Sequence, residues 1–273
     1  MQRYLGIDFS GGAGPWKMKC KHPTVWIATI CDDQGYILTD LRPVQYLDGD
    51  EEPFDRLVNF LALSDFTAAA IDAPFALPSA HMPNDSYSQF LSRVRVLSKG
   101  IDRPFPRGAT IVEMGESISP KGSNKPYRKT EKYWANRGVN TRSTMWNGPR
   151  GGVPFAAACL SLLSRVNLPI WPWHPVSRGV LVEAFPAAQL RQWGLPHQGY
   201  SGDKGQAKRK KIIDAVAMLV NMGFEARQSM IDSADALDAV IACFAAIAVS
   251  NNRFERTNHG VDDGMISVLC ELD

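Results

Sequence analysis

The pattern of apolar and polar residues divides the first 75 positions into four strands and one helix. Residues 51–63 carry apolar side chains at helical spacing and acidic side chains in the first turn, which predicts a helix. Residues 67–71 predict a buried strand that ends before Pro74. A turn signal, Asp-Asp-Gln-Gly, separates two of the earlier apolar runs and predicts an antiparallel three-stranded meander. Those apolar runs occupy residues 4–9, 24–31 and 36–44.

The middle of the chain, residues 78–175, does not continue this regular pattern. It is rich in proline and glycine and contains short helical stretches such as residues 86–97. We interpret it as an insertion that forms a lobe on the sheet rather than as a separate domain. Further elements are predicted after it: a strand at 179–184, helices at 206–222 and 235–250, and a final edge strand at 264–269.

The order of these elements predicts an α/β fold. An antiparallel start followed by βα units gives a mixed sheet with helices on both faces. The chain has 273 residues, of which 45% are hydrophobic, and this is enough material for one sizeable core. We therefore predict that residues 1–273 form a single domain and that residues 78–175 are the inserted lobe.

Charge and cysteine content narrow the functional classes. The formal net charge is only +2, so contact with nucleic acid has to come from local basic patches. The five cysteines are odd in number and form no CxxC pair, which disfavours a disulfide framework or a zinc ribbon. The N-terminal residues do not resemble a signal peptide, and no apolar run reaches the roughly 20 residues of a membrane span. We expect a cytoplasmic protein without a membrane partner.

Acidic side chains occur where their neighbours predict buried apolar positions. Asp8 lies within the first strand, Asp72 closes the fourth, and Glu183 lies near the end of the fifth. Asp235 and Asp238 are three residues apart on the late helix and share one helix face. A buried carboxylate is unfavourable unless it is paired or binds a metal. Oxygen ligands suit Mg²⁺ or Mn²⁺, and two such ions held by shared carboxylates form a site for attack on a phosphodiester.

Each of these acids also has a structural interpretation. Asp72 can be a turn residue before Pro74, Asp235 can cap the late helix, and Asp238 can be a helix residue whose carboxylate is satisfied within the fold. Glu183 can pair with a basic side chain such as Arg191. Asp8 is the hardest of the set to explain structurally. These alternatives stay open at the level of sequence.

A basic and aromatic stretch at residues 121–142 is a candidate nucleic-acid interface. It contains seven Lys or Arg residues and one acid, and a second basic cluster occupies residues 204–211. Basic groups neutralise phosphates and aromatic side chains stack on bases. A solvated loop and a solvated helix face are the structural alternatives. The candidate binding residues are Lys125, Arg128, Lys129, Lys132, Tyr133, Trp134, Arg142, Lys208 and Arg209.

Four short motifs, each containing one or two of the acids, resemble the DUF429 family. They are Gly6-Ile7-Asp8, Ile71-Asp72-Ala73-Pro74, Val182-Glu183-Ala184-Phe185-Pro186 and Asp235-Ala236-Leu237-Asp238-Ala239. Members of that family are regarded as predicted nucleases with a ribonuclease H-like fold. The late-helix motif is also similar to that of RuvC-type Holliday-junction resolvases. The resemblance covers nearly the whole chain outside the insertion and implies a five-stranded mixed sheet.

The resemblance also implies roles for individual residues. Asp8, Asp72 and Asp238 would be metal ligands, and Asp235 would be a fourth acid of the site. Together with Glu183, these residues form the candidate catalytic set. The implied cofactor is Mg²⁺ or Mn²⁺, with room for a two-metal site.

Three functions are compatible with these features. The leading hypothesis is a metal-dependent nuclease, for which DNA, RNA and a homodimeric arrangement all stay open. The second is an ATP-binding phosphotransferase of the actin-like or sugar-kinase type, using a phosphate loop at residues 6–12. Those enzymes repeat the domain, and this chain carries one copy of the motif. The third is a non-catalytic module that binds nucleic acid or metal on the same fold.

Overall fold

The computed structural model describes residues 1–84, 86–148, 151–255 and 262–270. It contains a mixed sheet with the strand order β5-β4-β1-β2-β3-β6. β1, β2 and β3 form the predicted antiparallel meander, and β4 and β5 run parallel to β1 on its other side. The strands are β1 (Gln2–Asp8), β2 (Trp26–Asp32), β3 (Tyr36–Pro43), β4 (Ala68–Asp72), β5 (Val180–Glu183) and β6 (Val220–Asn221). The prediction of a mixed α/β fold is confirmed, with a sixth short strand at the β3 edge.

Helices cover both faces of this sheet. The described residues form α1 (Pro53–Leu63), α2 (Tyr87–Arg95), α3 (Gly108–Glu116), α4 (Lys129–Ala135), α5 (Val153–Leu163), α6 (Pro186–Gln192), α7 (Gln206–Val216), α8 (Phe224–Asp232) and α9 (Ala234–Ser250). One hydrophobic core joins Ile7 and Ile71 to α1, α2, α3 and α5. A second core joins Tyr4 and Ala70 to α7 and α9. The helices of the predicted insertion therefore contribute to the core on one face of the sheet.

Of two predictions in the last third of the chain, one is wrong and the other is correct only in part. Residues 264–269 do not form an edge strand, because they make only isolated bridges, such as Ala184 to Ser267. Side chains of other elements satisfy part of their backbone, since the Ile266 amide donates to Thr130 Oγ1. The predicted helix at 206–222 ends as α7 at Val216, and the chain then pairs with β3 as β6.

The late helix α9 packs directly against β1. A Cβ atom at Gly6 would lie 2.1 Å from the carbonyl oxygen of Ala239 and 2.5 Å from the amide nitrogen of Cys243. Only glycine permits this approach of strand and helix. The Ser233 side chain caps the helix by accepting a hydrogen bond from the Ala236 amide at 3.2 Å. The first turns of α9 are thereby fixed beside the C-terminal end of β1.

α9 also contributes more buried residues than any other described helix. Its residues from Ala236 to Val249, with the exception of Asp238, are buried. Across the described residues, no single helix has both the length and the apolar composition to cross a membrane. α8 and α9 pass that test of length and composition only as a pair bent by 115°.

Candidate metal centre and its cleft

Asp8 and Asp72 end two neighbouring parallel strands. Asp8 is the last residue of β1, rather than an interior strand residue, and Asp72 is the last residue of β4. The two residues are direct partners in the parallel register. Because side chains alternate along a strand, both carboxylates lie on the sheet face that α9 covers.

Asp238 completes a group of three carboxylates. One oxygen atom from each of Asp8, Asp72 and Asp238 lies within 4.8 Å of the others. Oxygen atoms at about 2.0–2.6 Å from a shared cation have separations in this range. Asp8 is only 8% exposed, and the other two side chains are half-buried. The structure thus brings together the three residues expected to be metal ligands, which we call the acid trio.

The acid trio carries unfavourable negative charge. Burial raises the pKa of Asp8 well above its ordinary value, and repulsion from Asp238 and Asp72 raises it further. Burial likewise raises the pKa of Asp238, with repulsion from Asp72 as the next cause. The pKa of Asp72 is raised to about 7 by burial and then by the charge of Glu183. A bound cation would relieve this repulsion and favour the ionised carboxylates.

Asp235 lies beside the acid trio without belonging to it. Its side chain lines the cleft that surrounds the acid trio. Burial raises the pKa of Asp235 to about 6, and the charge of Arg209 acts in the opposite direction. Arg209 is itself buried and donates to the carbonyl oxygens of Tyr200 at 2.5 Å, Gly202 at 2.7 Å and Ile231 at 2.8 Å. Arg209 was expected to bind nucleic acid, but its guanidinium instead joins the loop of Tyr200 to the end of α8.

Tyr200 is a residue of the site that the sequence analysis missed. Its Oη donates a hydrogen bond to Asp238 Oδ1 at 2.8 Å, and its side chain is 7% exposed. This hydrogen bond lowers the pKa of Asp238 and opposes the effect of burial. The sequence gives no local signal of this contact, because Tyr200 and Asp238 are 38 residues apart.

Glu183 points away from the acid trio. Its partner in the sheet register is Ile71, and it therefore lies on the opposite face from Asp72. The Arg128 guanidinium binds the Glu183 carboxylate through two hydrogen bonds of 2.7 and 2.5 Å. The Phe75 amide donates to the same carboxylate at 3.0 Å. These contacts make Glu183 part of a structural ion pair next to the acid trio.

Arg128 also binds a second buried carboxylate. Its Nε donates to Glu131 Oε1 at 2.9 Å, and its guanidinium is 1% exposed. Burial raises the pKa of Glu131 to about 7, although Arg128 opposes that shift. We call Arg128, Glu131 and Glu183 the arginine network. The basic partner expected for Glu183 is thus Arg128, whereas Arg191 donates to the carbonyl oxygen of Arg137.

The other candidate nucleic-acid-binding residues are dispersed. Trp134 is fully buried, and Tyr133 Oη donates to Glu255 at 2.7 Å. Lys129 Nζ lies 3.2 Å from Asp262 Oδ2. Lys125 Nζ lies 4.3 Å from the Trp146 ring centroid, and Lys208 donates to the Gln198 carbonyl. Lys132 and Arg142 are exposed, and of these two only Arg142 lines the cleft around the acid trio.

A cleft of about 630 Å³ surrounds the acid trio. Its lining includes two arginines, Arg128 and Arg142, and two half-buried phenylalanines, Phe155 and Phe185. The backbone segments that contribute to its walls are residues 8–10, 72–74, 140–142, 184–187 and 197–201. The candidate site is therefore a concave pocket with carboxylates in its wall.

The fold and the site together define an α/β protein with a carboxylate cluster at the C-terminal ends of two parallel strands. Residues 6–262 match the family described as protein of unknown function (DUF429), and the chain belongs to that family. The matched range includes all four acid motifs that suggested the resemblance. Neither the curated proteins nor the solved structures include one with significant similarity to this chain.

Proposed function

We propose that this protein is a divalent-metal-dependent nuclease that hydrolyses phosphodiester bonds. The convergence of one oxygen each from Asp8, Asp72 and Asp238 within 4.8 Å carries the proposal. These atoms lie inside a cleft large enough for a ligand, and burial and mutual repulsion raise the pKa values of the acids. Strongly perturbed carboxylates in a cleft are typical of functional sites.

The topology supports a ribonuclease H-like fold for this nuclease. An antiparallel meander of β1, β2 and β3 is followed by β4 and β5, which extend the sheet in parallel beyond β1. That fold has an acid on the central first strand, which meets acids from the fourth strand and from a late helix. Asp8, Asp72 and Asp238 occupy those three elements. β6 is an addition at the far edge.

The donor set fits Mg²⁺ or Mn²⁺. Three carboxylates without a cysteine or histidine among them form an all-oxygen site, which these hard cations prefer. When bound, such an ion activates water and stabilises the leaving oxygen of a phosphodiester. The protein would hold it with Asp8, Asp72 and Asp238, and Tyr200 orients the Asp238 carboxylate.

The phosphotransferase alternative has less structural support. It needs an open loop after Asp8 whose amides can surround a phosphate. A Cβ at Gly11 would lie 2.3 Å from the carbonyl carbon of Pro154 and 2.5 Å from the amide nitrogen of Phe155. The start of α5 therefore already fills the space beside this loop.

Calorimetric titration of Mn²⁺ tests the proposed site. We expect saturable binding to the wild type and loss of binding in Asp8→Asn. Asp33→Asn is the matched control, because Asp33 is an exposed carboxylate in the turn between β2 and β3. Absence of binding to the wild type would contradict the metal site.

Cleavage assays then test the activity. Single-stranded and branched DNA and RNA are incubated with Mn²⁺ and either the wild type or Asp8→Asn. We expect cleavage by the wild type and none by the variant. Saturable metal binding without cleavage of any substrate would instead favour the non-catalytic binding module.

A further inference from the structure

Several side chains of the basic stretch at residues 121–142 are already engaged by other groups of the described structure. Within residues 121–142, which the sequence predicts as a nucleic-acid interface, Arg128 is bound by two carboxylates and Trp134 is buried. Lys125 stacks on Trp146, and Lys129 is paired with Asp262. A protein that follows a duplex backbone needs several free cations along its path. These four residues of the stretch therefore do not form such a row.

One arginine of the cleft lining stands apart from this pattern. Arg142 is exposed, and the described structure gives its guanidinium no carboxylate partner, in contrast to Arg128. Its guanidinium carbon lies 5.5 Å from the ring centroid of Phe155, which also lines the cleft. Arg142 lines the same cleft as the three carboxylates of the acid trio. Arg142 is therefore placed to bind one phosphate next to the carboxylates.

The shape of the site also limits the ligand. Asp8 is 8% exposed, so a phosphodiester has to enter the cleft to approach it. A volume of about 630 Å³ lies within the usual range for a small-ligand pocket. Phe155 and Phe185 offer apolar surface on which a base can stack. A paired base cannot reach this surface without leaving the duplex, which costs a few kcal/mol in unstacking.

We propose that the cleft binds one unpaired nucleotide of a phosphodiester, with Arg142 on its phosphate. This deepens the proposed function and rests on it for the chemical step, but the recognition itself can be measured without turnover. The unpaired nucleotide belongs either to a single strand or to a small free diester. Both sources present the same phosphate and the same exposed base.

Equilibrium binding in Ca²⁺ tests the proposal, because Ca²⁺ also takes oxygen ligands. The probes are a fluorescent single strand and a hairpin-capped duplex of equal length, measured by anisotropy for DNA and for RNA. We expect the single strand of at least one of these nucleic acids to bind at least about tenfold more tightly than its duplex. The salt slope should be small, at about 0.7 for each phosphate contacted.

Variants of the chain sharpen this experiment. Arg142→Gln should weaken single-strand binding by about tenfold and reduce the salt slope by about 0.7. Arg142→Lys should restore part of the affinity. Lys99→Gln is the matched control, because Lys99 is exposed but does not line the cleft, and it should leave binding unchanged. Thermal unfolding of all three variants checks that they are folded.

The outcomes distinguish a single strand from a small free diester as the ligand. They also distinguish the recognition of an unpaired nucleotide from the nuclease activity. Competition by the p-nitrophenyl ester of thymidine monophosphate as strong as that by the strand identifies a small diester, and weaker competition identifies a single strand. Duplex binding equal to or tighter than single-strand binding, no binding of either probe, or no effect of Arg142→Gln would overturn the inference. Single-strand binding without cleavage in Mn²⁺ would refute the nuclease and leave the recognition intact.

Discussion

Two groups of buried carboxylates line the same cleft, and they differ in what balances their charge. In the arginine network, the Arg128 guanidinium binds Glu131 and Glu183 through hydrogen bonds of 2.5–2.9 Å. In the acid trio, the described residues provide no ion pair, and Tyr200 supplies a neutral hydrogen bond to Asp238. The arginine network thus has a buried cation between its carboxylates, whereas the described residues give the acid trio no such cation.

This difference indicates a structural role for the arginine network and supports the metal role proposed for the acid trio. A compensated buried ion pair holds elements together, and here it joins β5 to the start of α4. An uncompensated cluster lowers the stability of the metal-free fold, because burial and repulsion both disfavour the ionised acids. A sequence that keeps such a cluster gains something other than stability from it, and cation binding is the simplest such gain.

Removing the cation of the arginine network should have the largest effect on stability. Arg128→Met keeps much of the side-chain volume but leaves Glu131 and Glu183 buried without a positive partner. We expect the free energy of unfolding, measured in urea at neutral pH, to fall by about 3–5 kcal/mol.

The control for this prediction is an exposed ion pair. Arg178→Met removes the partner of Asp65 at the surface and should leave the free energy of unfolding nearly unchanged, because solvent screens this exposed pair. The double variant Arg128→Met/Glu183→Gln should recover part of the lost stability, because one of the stranded charges is gone. If Arg128→Met lowers the free energy of unfolding by less than about 1 kcal/mol, the ion pairs of Arg128 do not stabilise the fold. The proposed difference between the arginine network and the acid trio would then be wrong.

Removing a charge from the acid trio should raise the stability of the metal-free protein instead of lowering it. Asp72→Asn relieves the repulsion with Asp8 and Asp238 while it preserves the shape of the side chain. Each pKa unit corresponds to about 1.4 kcal/mol, and hydration of the half-buried group reduces the effect. We therefore expect the metal-free variant to be more stable than the wild type by roughly 1–3 kcal/mol at pH 8.

The pH dependence gives the control for Asp72→Asn. The folded protein binds the Asp72 proton more tightly, since the pKa is about 7, compared with the ordinary value of 3.8. The contribution of Asp72 to the stability of the wild type is therefore most favourable in acid, and it falls as the pH rises from about 4 to about 7. The advantage of Asp72→Asn should vanish near pH 4, and saturating Mn²⁺ should stabilise only the wild type. An equal effect at pH 4 and pH 8 would contradict a charge-based cause.

The acids of the trio stand out in the sequence, and the resemblance to the DUF429 family selects them as the expected metal ligands. Asp8 and Asp72 each interrupt an apolar strand pattern, and the parallel pairing of adjacent strands places their ends together. Asp238 interrupts the apolar sequence of α9 in the same way. Glu183 also interrupts an apolar strand pattern, but the sheet face on which its side chain lies depends on the register between β4 and β5. A shift of one residue would reverse its face, and the sequence does not determine that register.

The roles of the basic residues could not be predicted from composition. Arg128 and Arg209 lie in basic clusters, yet both are buried. Their acceptors come from distant parts of the chain, such as the Glu183 carboxylate and the Ile231 carbonyl. A local excess of Lys and Arg predicts a solvated or ligand-binding face. Tertiary packing, however, decides which of these side chains is buried and paired inside the protein. Tyr200 was missed for the same reason, because its contact with Asp238 is not local.

Tyr200→Phe tests the smallest difference between the two groups, namely the neutral hydrogen bond to the acid trio. The ring and its packing are retained, but the 2.8 Å contact of Oη with Asp238 Oδ1 is lost. Partners that orient metal ligands typically contribute tenfold or more to affinity, so we expect calorimetric Mn²⁺ affinity to fall about tenfold. Tyr133→Phe removes a hydrogen bond to Glu255 outside the cleft and should leave that affinity unchanged. Unchanged affinity in Tyr200→Phe, alongside loss in Asp8→Asn, would mean that α9 alone fixes the position of Asp238.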